Sequence, residues 1–326
     1  MRQDMNAAAC TSMPRPSLTH EVVLSPTARA VVRTLLYFDI FKHPLRKEEL
    51  ISFSRLRTGE TEDLNEVLDH LLEMGLVLMA QGHYALSEAG ERTARRTRHA
   101  QRAQQRMAKA QRNSRLIGVF PFVRGVMLSG SISKGVLDET GDIDYFILTA
   151  PRRLWVARTL LVLYKKIFLL NSRRDFCVNY FIDTDHLLIE DRNLFTATEV
   201  VTLLPTYGPQ ACREFFRANH WAFERFPNMQ VERPMPGQTK SPRSKPVLEK
   251  ILLNRFGEWL DDLCMRLTYM RWRRKFGGLD ARTFELALRT RKYVSKHHPQ
   301  GFQQRVLDAF TERIASFEAR HGLSLA

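Results

Sequence analysis

Two short runs in this chain hold residue types whose spacing suits phosphate chemistry. Leu128 to Gly135 reads LSGSISKG, and Asp142-Ile143-Asp144 follows within 15 residues of Gly130. A glycine turn between a strand and a short helix offers backbone N–H groups and the Ser131 hydroxyl to terminal phosphates. Ser129 or Ser133 would add hydroxyls and Lys134 a point charge. Two aspartates one residue apart in an extended run leave on the same side of the strand. Asp142 and Asp144 would then suit Mg2+ (or Mn2+), which takes a few carboxylates and completes its shell with phosphate and water. Singly, Gly-Ser is an ordinary turn and Asp-x-Asp a common surface pair; their order and closeness between apolar runs carry the reading. Together they suit nucleotidyl transfer from an NTP, which needs a held triphosphate, bridging divalent ions and an in-line nucleophile.

The elements that must position these residues can be read on either side. The apolar runs around Val126–Leu128 and Tyr145–Thr149 predict strands. Leu154–Leu170 predicts a helix interrupted by Arg158, Lys165 and Lys166 and shorter than the roughly 20 residues a membrane span needs; Lys165 and Lys166 are expected to keep one face wet. FCVNYFI, Phe176 to Ile182, predicts a further strand.

LSGSISKG followed by DIDYFI resembles the nucleotidyltransferase superfamily that includes DNA polymerase beta, poly(A) polymerases and aminoglycoside nucleotidyltransferases. The motif covers about 25 residues of 326, and about 60 with the next helix and strand. The resemblance implies a polymerase-beta-like α/β domain over 118–226, with Gly130 and Ser131 binding phosphate and Asp142 and Asp144 binding metal. It also implies a third carboxylate on a later strand, to activate an acceptor hydroxyl. The matching position holds Asn179, whose amide oxygen can ligate a metal but is a poor general base. Asp183 lies on the same face by period-two counting and is the candidate acid; Asp175 and Asp185 fit less well. The catalytic set expected is therefore Asp142, Asp144, Asn179 and Asp183.

The remaining chain predicts an α+β protein in several parts. Residues 1–24 read as a flexible arm. Over 25–90, a Ser25-Pro26 helix start, a second helix at Arg46–Phe53, a third at Glu62–Met74 and two β-like runs resemble a winged-helix domain. Its third helix carries acids and no Lys or Arg, which opposes DNA phosphates. Residues 91–117 predict a basic linker helix with nine Lys or Arg between 92 and 115 and one acid, a surface inviting nucleic acid or an acidic protein. Five prolines mark 227–246 as a linker. The region 247–326 predicts helices: an apolar stripe from Leu248 to Met270 that needs a partner surface, then Ala281–Lys292 and Gln300–Arg320. His297-His298-Pro299 reads as a loop.

Composition limits the alternatives. Net charge is +15 with 44 % apolar residues, which excludes general disorder and favours a polyanionic partner. Cys10, Cys177, Cys212 and Cys264 stand far apart, against a zinc site or disulfide framework and in keeping with a cytoplasmic location. No spacing of Ser, Cys and His suggests a hydrolase triad. The rival expectation is a regulatory nucleic-acid-binding protein whose nucleotidyltransferase fold is catalytically impaired.

Overall fold

The computed structural model describes residues 23–55, 63–170, 174–230, 234–237, 242–297 and 301–326. Cys10, Glu62, His298-Pro299 and all but two residues of the expected arm lie outside them. Helix α1 (Pro26–Asp39) begins where Ser25-Pro26 predicts, the Ser25 hydroxyl accepting the Ala28 N–H at 3.2 Å. Strand β1 (Leu45–Arg46), α2 (Lys47–Phe53), α3 (Leu64–Glu73), β2 (Leu78–Ala80) and β3 (His83–Ala85) follow, the strands forming a small antiparallel sheet in the order β1-β3-β2.

Helix α4 (Ala89–Gly118) leaves this unit and runs onto a second one. Its expected cations are largely spent on internal partners. Arg92 pairs with Asp39 and Arg96 with Glu49 on the first unit, while Arg106 and Lys109 grip Asp175 on the second. Arg95 caps the carbonyls of Phe41 and Lys42 at 3.2 and 2.7 Å. The helix is a strut between two cores, with Ala103, Ala110 and Ile117 packed into the second.

That second core surrounds a six-stranded mixed sheet. Its first strands are β4 (Val123–Ser129), which leads into the single turn α5 (Gly130–Ser133), and β5 (Asp144–Thr149). Helix α6 (Leu154–Phe168) crosses over to β6 (Cys177–Asp183), which lies parallel to β5. Then come α7 (Leu194–Thr202), β7 (Leu204–Tyr207), α8 (Pro209–Ala218) and α9 (Trp221–Arg225). Side chains alternate across the sheet as strand geometry requires. Val126, Leu128, Tyr145 and Ile147 face α4 and α6, whereas Met127, Phe146 and Leu148 face α7 and α8. Coverage of both faces explains why these strands read as continuous apolar runs.

The C-terminal region departs from the helical expectation. The stripe from Leu248 is split into α10 (Ser244–Ile251) and α11 (Arg255–Lys275), because Asn254 leaves the helix and caps the next one, accepting the Gly257 N–H at 3.0 Å. Its apolar residues also stay outside: Phe256, Trp259, Leu267 and Met270 are each more than half exposed. Expected helix Ala281–Lys292 stops early as α12 (Ala281–Ala287), and the chain forms the hairpin β8 (Thr290–Arg291) and β9 (Val294–Lys296). β9 pairs with β6, giving the sheet order β7-β4-β5-β6-β9-β8. The last helix, α13 (Phe302–His321), returns to the first unit, where Val306, Phe317, Leu323 and Leu325 join the core around α1. No described helix is long and apolar enough to cross a membrane.

Candidate functional site

Antiparallel pairing of β4 with β5 puts Ser129 opposite Asp144, so the glycine turn and the aspartates meet by register. Gly130 adopts a left-handed backbone with φ +69°, and a Cβ there would stand 2.6 Å from Asp144 Oδ2. Only glycine allows the turn to lie this close to the carboxylate. Asp142 sits two residues earlier in the loop entering β5, and both aspartates line a cleft of about 780 Å3.

Asn179 also reaches this cleft. It is the extra residue of a bulge in β6, since Tyr145 pairs with Val178 and Phe146 with Tyr180. Its Nδ2 donates to Asp144 Oδ1 at 2.8 Å, which orients the carboxylate. Cys177 neighbours Asp144 across the strand pair; burial, with the negative charges of Asp144 and Asp142 nearby, holds its thiol neutral by pushing it up to about 12.

Asp144 is raised to about 7, chiefly by burial and further by Asp142 and Glu199, against the lowering effects of Cys177 and Lys134. A pair of enclosed carboxylates short of positive charge fits a divalent cation, because Mg2+ uses one or two carboxylates and takes its remaining oxygens from substrate and water. Among the described residues no group of three or more His, Cys, Asp or Glu forms a metal cage, so any such ion would depend on oxygens from its substrate.

Other expected residues are placed differently. Asp183 is a correction: it ends β6 opposite Thr149, at the far end of the strand pair from Asp144 and Cys177. Its carboxylate is buried and accepts from the Asp185 N–H at 3.1 Å, with His186 Nδ1 at 2.8 Å. It lies four positions beyond Asn179, so a shared face does not bring it near. Ser133 and Lys134 brace the turn: the Ser133 hydroxyl and Lys134 Nζ donate to the Gly130 carbonyl at 2.9 and 3.1 Å. Lys134 also holds Glu199 Oε1 at 2.8 Å. Ser131 is exposed on α5, while Ser129 and Gly130 line the cleft itself.

Sequence reasoning missed one wall of the site. Lys165 and Lys166, read as a wet helix face, line the cleft from α6, and Arg271 and Lys275 do so from α11. Glu199 of α7 lines the acidic end. The available signal was that Arg158, Val162 and Lys165 lie three or four residues apart on one face of α6. The floor is apolar and aromatic, with Phe146 and Tyr180 stacked at 4.6 Å and 13°. The cleft is therefore bipolar, with carboxylates at the sheet end and cations along two helices.

No protein-family model matches this chain, and searches of curated proteins and of solved structures gave no match either.

Proposed function

We propose that this protein is a Mg2+- or Mn2+-dependent nucleotidyltransferase that moves a nucleoside monophosphate from an NTP to an acceptor hydroxyl. The observation that carries the reading is the contact of the Gly130 turn with Asp144, beside Asp142, at the acidic end of a cleft with a cationic wall. A glycine backbone pressed against paired carboxylates is what the likeness to the nucleotidyltransferase superfamily requires, and a closed polar turn has no structural need of it. Asp142 and Asp144 would hold the divalent ion, which supplies charge neutralisation at the phosphate oxygens. Gly130 and Ser131 would contact the phosphates, and Lys165 and Lys166 would bind them from the opposite wall. Asn179 fixes the orientation of Asp144 through its amide. The stacked Phe146 and Tyr180 offer an apolar floor for a base.

The first unit, with three helices, a hairpin and one short strand, supports the winged-helix-like reading at the level of element order. Its role in this reading is structural, because the α4 cations that face it, Arg92, Arg95 and Arg96, are engaged within the chain. Asn179 favours a second reading, a nucleotide-binding protein without turnover, since an amide oxygen is too weak a base to take the acceptor's proton. One experiment separates the readings. Each NTP, labelled in its α-phosphate, is incubated with Mg2+ or Mn2+ and pools of RNA, protein and small-molecule acceptors, beside the paired change Asp142→Ala and Asp144→Ala. Transfer abolished in the double variant supports the enzyme. Nucleotide binding that depends on both aspartates, without transfer, supports the second reading. Nucleotide affinity unchanged by the double variant refutes both.

A further inference from the structure

Arg158 lies on the side of α6 that lines the cleft and is about nine-tenths buried. Among the described residues it makes no hydrogen bond and no ion pair. Its guanidinium carbon instead stands 5.6 Å from the Trp155 ring and 4.8 Å from the Trp272 ring. The two indoles are fixed by the fold: Trp155 is fully buried and donates Nε1–H to the Arg291 carbonyl at 2.9 Å, and Trp272 is buried on α11. The nearby buried acid is committed elsewhere, since Asp261 Oδ1 accepts the Val156 N–H at 2.9 Å. Arg271 adds a second positive charge beside Arg158, and both line the cleft.

Burying a guanidinium without an anion is costly, and chains normally pair it. Aromatic faces satisfy the flat surfaces of the ion and leave its N–H edge open to the cleft without a protein partner. That edge is a planar fork that matches two oxygens of one phosphate. Lys165, the cation that acts on Cys177 and therefore lies by the Asp144 end, is two helical turns along α6 from Arg158. The two positions are about 10 Å apart along that axis at 1.5 Å per residue, room for two separate phosphate groups.

We propose that Arg158 and Arg271 form a second anion subsite, which takes a phosphate monoester carried by the acceptor while the NTP occupies the Gly130–Asp144 end. This rests on the nucleotidyltransferase reading and narrows its acceptor to a phosphorylated hydroxyl compound. A dianion is favoured over a carboxylate because both guanidinium groups line the cleft and, among the described residues, neither forms an ion pair.

The test uses inorganic phosphate as the probe, titrated calorimetrically into the full chain alone and into the chain saturated with Mg2+ and a non-hydrolysable NTP analogue. The same titrations are run on Arg271→Ala, an exposed position, and on Arg158→Lys. Phosphate is expected to bind in both states, tenfold or more weakly in Arg271→Ala and also more weakly in Arg158→Lys, where the fork is lost. Phosphate excluded by the bound analogue would overturn the proposal, because Arg158 would then serve the nucleotide's own phosphates. Phosphate affinity unmoved by both variants would overturn it too. A chain that binds phosphate through Arg271 but no nucleotide would sink the nucleotidyltransferase reading and leave the anion site standing.

Discussion

Gly130→Ala tests the close approach of the turn to the Asp144 carboxylate, and Gly135→Ala supplies its internal control. Both glycines are left-handed, at φ +69° and +72°, so alanine strains the backbone alike at either position. That strain costs roughly 1–2 kcal/mol, which for a domain of this size lowers Tm by about 2–8 °C. The surroundings differ. Nothing lies within 4 Å of a Cβ at 135, whereas at 130 it meets Asp144 Oδ2 at 2.6 Å. Ordinary contact begins near 3.4 Å, so the Asp144 carboxylate must withdraw by several tenths of an ångström or the turn must open. Asp144 is tied to Asn179 at 2.8 Å and cannot yield without losing that bond. A misplacement approaching 1 Å costs on the order of 100-fold in a positioned reaction. Thermal melts and Mg2+-dependent binding of a fluorescent NTP analogue should therefore give two variants of similar Tm. Gly135→Ala should bind within about twofold of wild type, and Gly130→Ala at least tenfold more weakly, with transfer reduced about 100-fold. Equal nucleotide affinity in the two alanine variants would refute the claim that the turn and Asp144 form one site.

Three further outcomes follow from the geometry. Asp261 is fully buried, and burial raises its carboxyl to about 6, so from about pH 4 to pH 6 the folded chain keeps a proton that the unfolded chain has lost. Its contribution to stability therefore falls as pH rises through that window, by about 3 kcal/mol; urea titrations should show Asp261→Asn, which retains an acceptor for Val156, gaining on wild type between pH 4 and 7, and a constant difference would contradict this. Lys166→Ala should weaken NTP binding about tenfold and NMP binding little, since a cation on the far wall meets the terminal phosphates; calorimetry with both nucleotides checks it, and equal losses would place Lys166 elsewhere. Asp183→Asn should lower stability by about 1–3 kcal/mol, because it weakens a buried acceptor, and leave Mg2+-nucleotide affinity unchanged; a large loss of transfer with intact stability would restore Asp183 as the third acid.

What could be read in advance followed from local rules. Gly130 through Thr149 was legible because the turn and the Asp-x-Asp strand are neighbours both in sequence and in the sheet, so spacing alone brings them together. Asn179 meets Asp144 through a bulge that period-two counting does not show, and Asp183 failed because a shared face says nothing of distance: four positions on, it lies about 13 Å further along the strand. The cationic wall failed for another cause: α11 meets α6 from about a hundred residues away, and no local signal reports that meeting. Helix α11 also misled through its apolar count. Phe256, Trp259, Leu267 and Met270 face outward, while the face it buries carries Gly257, Asp261 and Trp272. A polar residue wins that inward place because Asp261 caps the N-terminal turn of α6, a bond invisible until both helices are in place.

The last helix gives the first unit a reason to be attached. Arg313 of α13 reaches Asp39 of α1 at 2.6 Å, and Arg29 donates to the Ala326 carbonyl at 2.7 Å, so the chain's end is fastened to its first helix. The start of the same α13 lines the cleft through Phe302 and Gln303, and Gln303 Oε1 accepts from Lys296 of β9 at 3.1 Å. From the other side, buried Tyr37 of α1 lies by Thr198 and Glu199 of α7, and the pairing of Glu199 with Lys134 braces the Gly130 turn. The first unit therefore touches the site by two routes, through α13 at the aromatic end and through α7 at the acidic end. A module free to read DNA would keep its cations outward and its helices uncommitted. This one spends Arg92 and Arg96 on its own acids.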